Sequence, residues 1–283
     1  GEYRKSAADP GTELWRTLWS TAFSSHPYGH DTLGQEADIQ AMPDGLQRVQ
    51  AFRARHYRPD QALVTVVGDV DPSQALAEVQ AAFGAWKATG GGPQAVPGEP
   101  AQRKERRAHV DWKGSDIHPK LALGWRIPGF SPGDETSAAI AVTRELLMSR
   151  ASPLVERLID EDKLALQVYS DTPSQVQPGL LLMVLELQPG AQRAAVIRAV
   201  DEALVSLKKV TPGRVAIARM RLQRQRTIAM SGPEDRAQVV GRAALHGTGV
   251  TAYAQHTAAI GQVEVADIIA VVDRFLTAQQ RTI

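Results

Sequence analysis

Seven histidines (His26, His30, His56, His109, His118, His246 and His256) and 31 acidic residues are the groups in this chain that could hold a metal or move a proton. Hydrolytic zinc sites on helices use two imidazoles four residues apart on one face, with a carboxylate beside them as base. Only His26 and His30 have that separation, and Pro27 and Gly29 between them disrupt the helix it requires. No H-x-x-E-H and no G-x-S-x-G occurs. The absence of cysteine removes disulfide frameworks, cysteine-ligated zinc, iron–sulfur clusters and thiol nucleophiles. Gly68-Asp69-Val70-Asp71 lacks the spacing of a phosphate-binding fingerprint, and Gly90-Gly91-Gly92 has no Lys-Ser/Thr after it. Arg214, Arg219, Arg221, Arg224 and Arg226 have no acid among them, but apolar residues interleave with them as on an amphipathic helix. No aromatic side chain is present there to stack on bases, so the cluster reads as a solvated or interface face and no nucleic-acid partner is expected.

These groups must be positioned by a chain of 283 residues with a net charge of +1, a length that suits two domains and a charge that gives no long-range field. The strongest apolar run, 179–187, is too short to span a bilayer. Leu14, Trp15, Leu18, Trp19, Ala22 and Phe23 recur three and four apart, predicting a helix over 12–23 with the two tryptophans in the core. Further helices are expected after Met42 (Leu46, Val49, Phe52) and from Asp71 to Phe83. Between them, the β-branched run 62–67 (Ala-Leu-Val-Thr-Val-Val) predicts a buried strand. Strands are expected at 108–112, 121–127, 164–170 and 180–187, helices at 134–149 and 154–161. Four helices then follow, over 191–208, 212–230, 233–246 and 263–278. Runs of strands followed by runs of helices specify an α+β class.

The stretch from Thr89 to Pro100 has no apolar periodicity and marks a linker, placed at 89–104. On either side, Met42, Leu46, Val49 and Phe52 match Val265, Ile269, Val272 and Phe275 in spacing. The first set precedes a strand and a helix; the second precedes the last residues of the chain. The expectation is a tandem duplication of α/β domains, each a mostly antiparallel sheet with helices packed on one face. Residues 1–88 would be the C-terminal half of one domain, and 105–283 its copy without the last strand.

In order, Glu2-Tyr3-Arg4 before Pro10, His26-Pro27-Tyr28-Gly29, Tyr57-Arg58-Pro59-Asp60, Leu63 through Asp69 and a Gly/Pro linker resemble the pitrilysin/insulinase-type zinc metallopeptidases. These are the inverted zincins, which include the mitochondrial processing peptidase. The resemblance covers the whole chain. It implies a zinc metalloendopeptidase subunit acting on peptides or unfolded segments, with H-x-x-E-H upstream of Gly1 and zinc as cofactor. It also implies Glu2 as the third zinc ligand; read without it, Glu2 is an exposed carboxylate near a chain end.

Relatives of this type anchor substrate through an arginine and a tyrosine seven apart. The corresponding positions are Ile159 and Leu166, and the nearby Arg157 and Tyr169 stand twelve apart. That departure implies a homologous second subunit that supplies the Arg/Tyr pair. The alternative is a non-catalytic structural or substrate-presenting subunit of the same fold. His26 and Tyr28 are expected to fix a turn. The resemblance leaves the compartment open between the bacterial periplasm and the cytoplasm, with the periplasm slightly favoured.

Overall fold

The structure is a computed structural model that describes residues 2–87, 95–113, 118–171, 175–246, 249 and 251–283. The described residues form twelve α-helices, several of which begin where Asp or Ser accepts an orphan N–H group or where Pro fits the first turn. They are α1 (Glu2–Ala7), α2 (Pro10–Ala22), α3 (Glu36–Gln40), α4 (Leu46–His56), α5 (Pro72–Phe83), α6 (Glu135–Met148) and α7 (Pro153–Glu156). They continue with α8 (Arg193–Leu207), α9 (Pro212–Ile228), α10 (Pro233–Leu245), α11 (Ala252–Gln262) and α12 (Val265–Arg274). The strands are β1 (Lys120–Ile127), β2 (Ala165–Asp171), β3 (Gly179–Leu187) and β4 (Arg281–Thr282).

The chain forms two compact units, one of Gly1–Thr32, Pro97–Arg224 and Gln255–Ile283, the other of Leu33–Val96 and Gln225–Ala254. The first unit holds an antiparallel sheet in the order β2-β3-β1-β4. Side chains alternate across a strand. Thus Leu121, Leu123, Trp125 and Ile127 join Leu181, Met183, Leu185 and Leu187 on one face, beneath buried residues of α6, α8 and α12. Ala122, Leu180 and Leu182 point the other way, beneath Leu18, Trp19, Ala22 and Phe23 of α2. Burial on both faces accounts for the apolar run from Gly179 to Leu185 in β3. The expected α+β class, an antiparallel sheet with packed helices, is what forms.

In the second unit, residues 62–67 run between α4 and α5 without strand pairing. The expected strand at 62–67 is therefore absent. β-branched composition favours extended backbone, but a strand also requires a partner ladder, and none of the described residues supplies one. The segment does pack on α10, where a Cβ on Gly241 would come within 2.8 Å of the Thr65 hydroxyl. The apolar stripe of α4 is uncovered: Leu46, Val49 and Phe52 are all exposed, Phe52 to 59%. Its counterpart stripe on α12 has Val272 in the core and Val265 and Phe275 packed against it.

Other expectations shift. Residues 108–112 form no strand; instead Arg106 and Ala108 exchange backbone hydrogen bonds with Arg281 and Ile283 at 2.9–3.0 Å. The helix expected over 154–161 divides into α7 and a π-helical turn, Arg157–Glu161. Among the described residues five α-helices, not four, follow β3, the additional one being α11. Its buried stripe is Ala252, His256 and Ile260, and a small residue and a polar one hide the period. The last residues of the chain pair with the sheet as a two-residue strand, Arg281 and Thr282 lying opposite Trp125 and Gly124. Part of the linker, including Gly90-Gly91-Gly92-Pro93, lies outside the described residues.

Candidate functional site

The His26-Pro27-Tyr28-Gly29 segment is built on the end of α2. The Asp9 carboxylate accepts the Thr12 N–H at 2.6 Å and starts the helix, which carries Trp19 and Phe23 one turn apart. Their rings stack at 5.3 Å, and Tyr28 meets both edge-on. Trp19 is buried as the stripe predicts, whereas Trp15 remains 39% exposed. Two guanidiniums close the helix: Arg106 donates to the Thr21 and Ala22 carbonyls, and Arg126 to that of Ala22. These cations satisfy carbonyls that the helix end leaves unpaired and oppose its negative pole. Arg126 also lies over the Phe23 ring at 4.2 Å.

His26 is buried and precedes a 3-10 turn, Pro27–Gly29; its Nδ1 accepts the Tyr28 N–H at 3.1 Å. Burial chiefly holds its pKa below the ordinary value; Glu99 opposes this and Arg126 adds to it. In the neutral ring an Nδ1 that accepts the Tyr28 N–H leaves the proton on Nε2. His30 follows the same turn, and its Nδ1 faces the Asp31 carbonyl at 3.1 Å. The two imidazoles flank the turn and share no helical face, so they form no zinc pair. Gly29 is required by space: a Cβ there would approach the Phe23 carbonyl oxygen to 2.9 Å.

Glu99 is the residue that sequence reasoning missed. It stands in the Gly/Pro-rich segment assigned as linker, yet only 3% of its side chain is exposed. Its carboxylate accepts the Ser24, Ser25 and His26 N–H groups and the Ser24 hydroxyl at 2.8–2.9 Å, with Arg126 at 3.8 Å. Burial acts to raise its pKa, but the four donors outweigh it and hold the value at about 2. A carboxylate so saturated neither takes a proton at neutral pH nor has a free lone pair for a metal; it anchors the loop. Beside it, burial lowers the Arg126 pKa, with Glu99 opposing and Arg106 reinforcing. Gln102, three residues on, is buried as well and donates to the Arg281 carbonyl at 2.7 Å. Only a Glu before a proline signals this anchor in the sequence.

Glu2 lies at the start of α1 and is exposed. Among the described residues, no group of three or more His, Asp or Glu side chains comes together as a metal site. One exposed carboxylate does not make a zinc site, so these residues alone do not fit the ion. Ile159 falls in the π-helical turn and packs against the core. Leu166 sits where the register of β2 shifts between Ala165 and Gln167. Backbone irregularities of these two kinds re-aim side chains, and here the side chains are aliphatic. Arg157 is bound by Asp162 and Glu202, and Tyr169 is exposed on the edge strand with its hydroxyl against Gln167. The structure does not bring them together as a substitute pair. Of the arginines on α9, Arg219 donates to the carbonyls of Gly261 and Val263 and Arg226 to that of Tyr253. No described helix is long and apolar enough to cross a membrane.

The family model described as the peptidase M16 inactive domain matches residues 45–222. Zinc protease PqqE of Helicobacter pylori is 27% identical over 232 residues, covering 81% of this chain and 51% of that protein. The chain thus spans about half the length of the curated relatives it matches. The crystal structure of a protease from Helicobacter pylori aligns with a TM-score of 0.87 at 22% identity, over 98% of this chain and 67% of that one. That of a peptidase M16 inactive domain from Pseudomonas fluorescens aligns at 0.80 and 18% identity, over 99% and 66%. At such identities the likeness is one of fold.

Proposed function

Because the chain belongs to the peptidase M16 family, the pitrilysin-type zinc proteases, we propose that it is part of a zinc-dependent metalloendopeptidase subunit that hydrolyses peptides or unfolded segments. The family match over residues 45–222 carries this reading, supported by relatives named as zinc proteases. Residues 1–88 are proposed as the C-terminal half of one domain and 105–283 as its copy, joined at 89–104. The uncovered stripe of α4 and the unpaired segment 62–67 support a sheet completed by polypeptide outside these 283 residues, as does the greater length of the relatives.

In this reading Glu2 contributes one zinc ligand, and the histidines and general base belong to an H-x-x-E-H segment ahead of Gly1. Zinc, when bound, would supply Lewis-acid activation of a water. This chain's own contribution is to hold α1 and α2: the Arg16 guanidinium spans Glu13 and Asp31 and lies 5.7 Å from the Tyr3 ring. The proposed substrate anchor is an Arg/Tyr pair on a homologous second subunit.

The test uses the polypeptide with the residues encoded ahead of Gly1 restored. About one zinc per chain, lost in Glu2→Gln, is expected. Cleavage of an unstructured peptide is expected only after mixing with the Arg/Tyr-bearing subunit. Zinc retained in Glu2→Gln overturns the ligand assignment, and full activity of this subunit alone overturns the division of labour.

A second reading, a structural or substrate-presenting subunit without chemistry, is favoured by the aliphatic Ile159 and Leu166 at the two anchor positions. A degraded H-x-x-E-H upstream and no zinc would establish it against the first.

A further inference from the structure

The segment between Glu202 and Glu234 contains no acidic residue and seven cations: Lys208, Lys209, Arg214, Arg219, Arg221, Arg224 and Arg226. In a chain of net charge +1, that is a strong local segregation of charge. The segment includes α9, whose Val215, Ala218 and Leu222 are buried. The opposite face carries Arg214, Ile217, Arg221 and Arg224, spaced three, four and three apart, with Met220 beside them. All five side chains are exposed, Ile217 to 47% and Met220 to 63%. None of the three guanidiniums forms an ion pair with a described residue, in contrast to Arg219 and Arg226, which are engaged by carbonyls.

A guanidinium fork matches phosphate and carboxylate oxygens, and its aliphatic stem can lie in an apolar layer while the head reaches a polar one. Ile217 and Met220 place apolar side chains beside the guanidiniums, an arrangement that suits hydrocarbon next to an anion. A nucleic acid would supply phosphate without the hydrocarbon, and the face has no aromatic ring for its bases. Phosphate next to hydrocarbon is the chemistry of a phospholipid surface.

We propose that the outer face of α9 is a docking surface for an anionic phospholipid bilayer, on which the protein rests peripherally. The binding energy combines three arginine–phosphate contacts with shallow insertion of Ile217 and Met220. It does not depend on the peptidase reading.

The test is co-sedimentation of the 283-residue chain with vesicles of phosphatidylcholine containing about a third phosphatidylglycerol, against phosphatidylcholine alone. Binding to the anionic vesicles only, weakened by added salt, is expected. Each of Arg214→Gln, Arg221→Gln and Arg224→Gln should weaken it about fivefold, and the triple variant about a hundredfold. The double variant I217S/M220S, with all charges kept, should lose about tenfold. R103Q/K104Q, which removes exposed charge elsewhere, should bind as the parent does. No binding by the parent, unchanged binding by the triple variant, or capture of an acidic helical peptide or polyuridylate in place of vesicles would overturn the proposal. Because the substituted side chains are exposed, circular dichroism should show native helix content in every variant, so lost binding reports the surface.

Discussion

The backbone N–H of His26 donates to the buried Glu99 carboxylate at 2.9 Å, across 73 residues of sequence. That bond and its neighbours from Ser24 and Ser25 tie the loop after α2 to a segment whose composition suggested a free linker.

Glu99 makes stability depend on pH. Its pKa is about 2 in the folded chain and 4.5 when unperturbed, so the unfolded chain binds more protons between those values. The contribution is complete above about pH 4.5 and fades as pH falls towards 2. Its size is about 3 kcal/mol. Glu99→Gln should remove most of it and flatten the acid limb of a urea-midpoint against pH curve. An unchanged acid limb would show that Glu99 is not the anchor.

His26 acts in a higher range. Its folded pKa is depressed, chiefly by burial, so stability should decline as pH falls through the unperturbed value of 6.5. His26→Asn offers an oxygen to the Tyr28 N–H and does not titrate. Thermal melts between pH 7.5 and 5.5 should therefore slope more steeply for the parent than for this variant.

Gly29→Ala should destabilise by about 1–3 kcal/mol, because the new methyl meets a backbone carbonyl rather than a yielding side chain. Near-ultraviolet circular dichroism, to which Trp19 and Tyr28 contribute, should change in parallel. A parental spectrum with parental stability would contradict the packing described.

The matched stripes of α4 and α12 should respond oppositely to substitution. Val272→Ala in the α12 stripe should cost about 2 kcal/mol. Phe52→Ser on α4 should stay within about 0.5 kcal/mol in this chain and lower the binding of an apolar dye. If Phe52→Ser is costly, the stripe is covered.

Several features were legible in the residues because they depend on local periodicity and capping. The α2 stripe, the split of residue types between β3 and its flanking turns, the α12 stripe and the His-Pro-Tyr-Gly turn all require only neighbours in sequence. The same holds for the interrupted helix between His26 and His30, where Pro27 and Gly29 form a turn in place of a continuous helical face.

What only the tertiary structure decided is pairing at a distance. Residues 62–67 have strand composition but no ladder partner among the described residues, and composition cannot provide one. Glu99 has the type and setting of a linker carboxylate, yet four donors from one loop and Arg126 surround it. The stripes of α4 and α12 read alike, and one is core while the other faces solvent. Sequence sets what a segment can pair with, through backbone preference and side-chain polarity. Whether the pair forms depends on which surface the rest of the fold brings against it.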